Sequence, residues 1–324
     1  MKSFIKKALV AAALTVSFGA ASVAAESGKV PSVIKIVVPF SAGAGTDVVA
    51  RALANQLASE LSVTVIVENK PGASGMIGAR QVANGPKDGS ELMVFSNSLI
   101  SAAATLRNMP FDLLKDLDPV AALSQGPMIV TVAADSPIKT PADLIEAAKA
   151  RPTELNHGTG GMGTIAHMAV ELMAAHGGVK LTHIPYKGAA PAVTDLVGGT
   201  LDLMVGAYST FAPVLDSGRL RAIAVTTAER APAFPDLPPM ADAAPGFSTG
   251  IWIGLWAPAG LPEELLERLN KAVINVTHSE QYANILKTDG HSPSRATPAE
   301  LKQKVADDYA TWRKVAADNN IVID

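Results

Sequence analysis

Three stretches of the sequence place glycines and hydroxyl side chains directly after apolar runs: Ser41-Ala42-Gly43-Ala44-Gly45-Thr46-Asp47, Glu68-Asn69-Lys70-Pro71-Gly72-Ala73-Ser74-Gly75 and Gly158-Thr159-Gly160-Gly161-Met162-Gly163-Thr164. Helical patterns follow them from about Asp47, Met76 and Ile165. A strand, a small-residue turn and a helix N-terminus leave backbone N–H groups free at the positive end of a helix dipole, and Ser or Thr hydroxyls add neutral donors. Such a cradle holds a carboxylate or phosphate without a charged side chain. Each loop taken alone reads better as a tight turn with Thr as helix cap. Three of them at one cleft make an anion site.

Catalytic readings of the same residues fare worse. Gly158 to Gly163 satisfies G-x-G-x-x-G, but the acidic residue that a dinucleotide site needs about 20 positions on is absent from VKLTHIPYKG. No G-K-[ST] follows Ser41 to Gly45, so the phosphate-loop reading fails too. A hydrolase elbow, G-x-S-x-G, does not occur; a secreted hydrolase would have to use Ser74 or Ser96. The histidines are His157, His167, His176, His183, His278 and His291. His167 and Glu171 share a helical face, but there is no HExxH and no cysteine, so neither a metal nor a cofactor is expected. Asp195 and Asp202 do not pair for acid–base work. Few aromatics are placed to stack on a sugar, and Trp252 and Trp256, on one face of a strand, read as core. A small polar acid suits this inventory.

The elements that must position these loops alternate strand and helix. Strands are expected at 33–38, 63–67 and 92–95, with helices at about 47–61 and 76–83 between them, which predicts a parallel sheet with helices on both faces. The pattern restarts with a strand at 128–132, a helix opened by Thr140-Pro141, the glycine stretch, a helix at 165–175, and strands at 181–184, 203–205 and 220–225. Pro232, Pro235, Pro238 and Pro239 mark an irregular return to a strand at 251–256 and two closing helices. This is a hinged two-lobe α/β design with its ligand between the lobes at the carboxyl ends of the strands. Lys2, Lys6 and Lys7, the apolar stretch from Ala8 and the site at Val23-Ala24-Ala25 predict a secretory signal peptide over residues 1–25. The net charge of −3 argues against a nucleic-acid partner.

VPFSAGAGTDVVARALANQL, VIVENKPGASGMIGARQVA, LNHGTGGMGTIAHMAVELM, HIPYKGAAPAVTDLVGGTLDLMVG and IWIGLWAPAGLPEELLERLN together resemble the periplasmic solute-binding proteins of tripartite tricarboxylate transporters, the Bug receptors. The resemblance runs in order through the mature chain. It implies a Venus-flytrap fold of the type II periplasmic class, each lobe a mostly parallel sheet flanked by helices, with lobe one from 26–126 and 248–324 and lobe two from 127–247. It also implies a receptor, not an enzyme, that captures a small mono- or dicarboxylate in the periplasm and delivers it to membrane permease subunits. The site carried over by position has Phe40, Ser41, Ala42, Gly43, Thr46 and Asp47 on one side. Thr159, Gly160, Gly163, Thr164 and His167 lie on the other, and Ser74 and Ser96 form the floor. Gly206, Ala207 and Tyr208 should tune selectivity; family members often carry an acid or amide there, and its absence favours a ligand without an ammonium group. The same site would serve a sensor that presents the closed form to a signalling partner. Nothing in the sequence calls for an oligomer, and a monomer is expected.

Overall fold

The computed structural model describes residues 28–40, 42, 45–287 and 289–323. The expected signal peptide, and Ser41 and Gly43 of the first loop, lie outside the described residues. Among the described residues ten strands are formed: β1 (Val33–Val38), β2 (Thr64–Asn69), β3 (Glu91–Ser96), β4 (Leu117–Gly126), β5 (Ile129–Ala133), β6 (Asn156–Thr159), β7 (Thr182–Pro185), β8 (Leu203–Gly206), β9 (Leu220–Val225) and β10 (Ile251–Pro258). The helices of eight or more residues are α1 (Gly45–Leu61), α2 (Met76–Ala83), α3 (Ser98–Thr105), α4 (Pro141–Ala150), α5 (Ile165–Gly177), α6 (Ala189–Val197), α7 (Tyr208–Asp216), α8 (Glu263–Thr277), α9 (Glu280–Lys287) and α10 (Pro298–Asp318).

The strands form two five-stranded sheets, ordered β2-β1-β3-β10-β4 and β7-β6-β8-β5-β9. The expected parallel pairings are present between β1 and its neighbours β2 and β3, and between β6 and its neighbours β7 and β8. One strand in each sheet is reversed, β10 in the first and β5 in the second. Both are the first strand after the chain crosses between lobes. A chain that leaves one sheet at the cleft end enters the next from that same end and must run the other way.

Local chemistry explains the elements. The alternating and continuous β-branched runs of β1 and β2 suit a half-buried sheet. Thr140 and Thr297 open α4 and α10 with reciprocal capping boxes to Asp143 and Glu300, each followed by proline at the first helical position. The crossings are stitched at Thr226: its hydroxyl accepts from Met128 N (3.0 Å), its N–H donates to Met128 O (2.9 Å), and its carbonyl accepts from Thr249 N (2.9 Å). One buried cluster runs through both lobes, joining Phe95 and Leu99 to Ile165, Met168 and Trp312. Trp252 and Trp256 stack within it, their centroids 5.6 Å apart. Among the described residues no helix is long and apolar enough to cross a membrane.

Candidate functional site

In lobe one, β1 delivers Phe40, and α1 begins at Gly45. The Phe40 ring meets Phe95 edge-on (5.2 Å), and its carbonyl accepts from Asn69 Nδ2 at 3.0 Å. Asn69 Nδ2 also reaches Asp47 Oδ1 (2.9 Å), while Arg51 donates to Asp47 Oδ2 (3.0 Å) and to Asn69 Oδ1 (2.9 Å). Asp47 is 2% exposed. Its carboxylate thus ties α1 to the end of β2, with its charge in the first helical turn where the dipole favours it. Thr46 is half-buried and Ala42 exposed. Ser74 has φ +53° in a short turn before α2. Ser96, buried at the end of β3, accepts from Ser98 N at 3.3 Å.

In lobe two, Thr159 Oγ1 contacts His183 Nε2 (2.7 Å) and Gly161 O (2.9 Å). Gly160 is backed by the turn of PYKG, its carbonyl accepting from Gly188 N at 3.1 Å. Thr164 is the N-cap of α5: its hydroxyl accepts from His167 N (3.4 Å) and donates to Gly161 O (2.9 Å). The Gly163 N–H donates to His167 Nδ1 at 3.2 Å.

The two jaws face each other. A Cβ added to Gly161 would stand 3.1 Å from Ser74 Oγ, and one added to Gly45 would stand 3.8 Å from Ser209 Oγ. Ser101 Oγ, on α3 of lobe one, donates to Gly163 O (2.7 Å), and Ile165 N donates to Ser98 Oγ (3.1 Å). Gly163 has φ +70°, and a Cβ there would meet Thr105 Oγ1 at 2.7 Å, so only glycine fits the join. Gly206 and Ala207 lead into α7, and the Tyr208 ring packs toward Phe234 (5.3 Å). The acid that sequence reasoning missed in this region comes from lobe one: Asp289 accepts from Ser209 N (2.5 Å) and Ser209 Oγ (2.9 Å).

Beneath the glycine loop lies a second group that the sequence did not assemble. His167 stacks on His183 with centroids 3.8 Å apart, and His183 on His157 at 4.8 Å. Glu171 Oε1 lies 3.6 Å from His167 Nε2 and 3.7 Å from His157 Nε2, longer than hydrogen bonds but close enough for strong attraction between charges. Burial pulls the Glu171 carboxyl upward, and the facing imidazoles of His157 and His167 outweigh it, taking it down to about 2. Burial, then the neighbouring rings, pushes His183 down to about 3. Burial also lowers His157, which is 0% exposed with no hydrogen-bond partner at either nitrogen. Among the described residues no group of His, Asp or Glu is arranged to hold a metal ion. A separate cavity of about 440 Å³ lies behind the hinge, lined by Asn97, Gln125, Thr249, Trp252, Lys304 and Trp312; none of the jaw residues lines it.

Sequence reasoning named Ser74, Ser96, Thr159, Gly160, Gly163, Thr164 and His167 and missed Ser98, Ser101, Ser209, Asp289, His157 and His183. The signal for the serines was the Ser98-x-x-Ser101 spacing at a helix start. His157 and His183 become neighbours only through the register of β6 and β7, which pairs them directly.

Two α/β lobes joined by two crossings, with glycine-bearing helix starts opposed across a cleft, define a two-lobe solute-binding protein. The chain belongs to the tripartite tricarboxylate transporter receptor family, whose model matches residues 49–321. Among its relatives, protein BugT of Bordetella pertussis is 32% identical over 288 residues, 88% of each chain. Among solved structures, R. palustris Rpa4515 with adipate is 33% identical with a TM-score of 0.83, covering 90% of this chain and 98% of that one. MatC from Rhodopseudomonas palustris with bound malate is 30% identical with a TM-score of 0.79, covering 87% and 98%.

Proposed function

We propose that this protein is a non-catalytic periplasmic receptor that captures a small mono- or dicarboxylate between its lobes and hands it to the membrane subunits of a tripartite transporter. The observation that carries this reading is the opposition of helix starts from the two lobes: Gly45 of α1 faces Ser209 of α7, and Ser74, before α2, faces Gly161, before α5. Hydroxyls and backbone N–H groups at helix starts favour an anion. Two relatives of similar fold were solved with adipate and with malate, which supports a carboxylate. Closure is driven by the ligand's greater affinity for the closed form.

A thermal-shift panel of adipate, malate, related mono- and dicarboxylates and their neutral amides tests the reading. A ligand at about 100 times its Kd adds roughly 2.7 kcal/mol to stability. Shifts with the amides and none with any acid would overturn it.

A further inference from the structure

We propose that the histidine stack is a proton-operated prop for the lobe-two jaw: neutral His167 holds Gly163 against lobe one, and a proton taken up by the stack releases that contact and weakens ligand capture. This rests on the carboxylate-receptor reading for its ligand arm only.

Gly163 is clamped from both sides. Its N–H donates to His167 Nδ1 (3.2 Å), and its carbonyl accepts from Ser101 Oγ of α3 (2.7 Å). Ile165 N, two residues on, donates to Ser98 Oγ of the same helix (3.1 Å). An Nδ1 that accepts must carry a lone pair, so the ring proton is on Nε2, which faces Glu171 at 3.6 Å. A second proton on Nδ1 turns the acceptor into a donor aimed at another N–H. The Gly163 bond cannot survive that change. Gly163 has no slack to find another geometry, since Thr105 and Ile323 fill the space beside it.

The ionisable groups facing His167 are Glu171 on its own helix, His157 on β6 and His183 on β7. From lobe one, α3 presents the Ser98, Ser101 and Thr105 hydroxyls, and Asp202 at the head of β8 is committed to Asn156 N (2.7 Å). Burial keeps His157 and His183 neutral in mild acid, and Glu171 stays charged there. Of the three rings His167 alone touches the loop, so the proton that breaks the Gly163 contact is one on its Nδ1.

The test has two arms on the full chain. Without ligand, nitrogen NMR follows the His167 ring and the Gly163 and Ile165 amides from about pH 7.5 to about pH 5. Protonation of Nδ1 together with loss of amide protection at both residues is expected; an Nδ1 that stays unprotonated, or amides that stay protected after it titrates, overturns the proposal. With ligand, adipate affinity is measured at the two pH values in the native protein and in His167→Asn. The Asn Oδ1 can take the Gly163 N–H but cannot take a proton. The acid-induced loss of affinity should be at least about tenfold greater in the native protein than in the variant, ligand protonation being common to both. Equal losses overturn the prop. If no carboxylate binds at either pH the receptor reading fails, and the ligand-free arm still decides the prop.

Discussion

The loop after β1 and the loop after β6 both run from a buried strand into the start of a long helix, but their supports differ in kind. Behind the first stand Asp47, Asn69 and Arg51, a charged network drawn from lobe one. Behind the second stand stacked imidazoles, and its far end is fastened to Ser98 and Ser101 of the other lobe. A jaw held by its own lobe keeps its shape whether the cleft is open or shut. A jaw held partly by its opponent depends on closure, and because its support is made of histidines it depends on pH as well. The same backbone device has become a fixed wall on one side and a conditional one on the other.

The largest contrast should come from acid. His183 falls from an ordinary value of 6.5 unfolded to about 3 folded, and Glu171 from 4.5 to about 2. In both windows the unfolded chain binds more protons, so the histidine contribution is full above pH 6.5 and is lost on acidification toward 3, and the glutamate contribution is lost between 4.5 and 2. Urea midpoints should hold near neutrality and fall below it, with the upper part of the fall flattened in His183→Gln; an unchanged slope there would move the acid sensitivity away from this jaw. Next, Gly163→Val forces a branched side chain into a left-handed backbone against Thr105 and should cost about 3 kcal/mol, along with much of the ligand affinity. Asp47→Ala strands the Asn69 and Arg51 donors and should cost about 2 kcal/mol by chemical denaturation. Should Asp47→Ala respond to acid as the native protein does while Gly163→Val loses that response, the division between a fixed and a conditional jaw stands. Thr164→Val removes the α5 cap for about 1 kcal/mol and should weaken binding in a protein that still folds; full affinity would reduce Thr164 to a cap alone. Smallest is Asp289→Asn, which loosens the contact to Ser209 by about 0.5 kcal/mol and should register as a slightly larger radius of gyration without ligand in small-angle scattering.

The alternation of β-branched runs with capped helices made most elements legible, including the Thr140 and Thr297 helix starts. What stayed hidden had weak or misleading local signals. Every residue of α3 (SLISAAAT) is buried, so it shows no amphipathic period. Pro213 inside α7 reads as a breaker, and Pro119 argues against a strand that β4 nonetheless forms at the sheet edge, where proline is tolerated. Loops were legible as strand-to-helix turns because glycine, hydroxyl and helix start are contiguous. The groups behind them were not: Asn69 reaches back across 22 positions to Asp47, and Asp289 across 80 to Ser209. His167 was read as a ligand residue from its place in a motif, and only the pairing of His157 with His183 places it in a stack.

The placement of β10 between β3 and β4 bears on the order in which the molecule is assembled. The second sheet is complete once residues 129–225 are available, whereas the first lacks an interior strand until 251–258 arrive. A chain that emerges from its N-terminus can finish lobe two while lobe one still has an open seam between β3 and β4, with two strand edges exposed. Insertion of β10 into that seam then follows the completion of lobe two, and it draws the two lobes onto their common hinge.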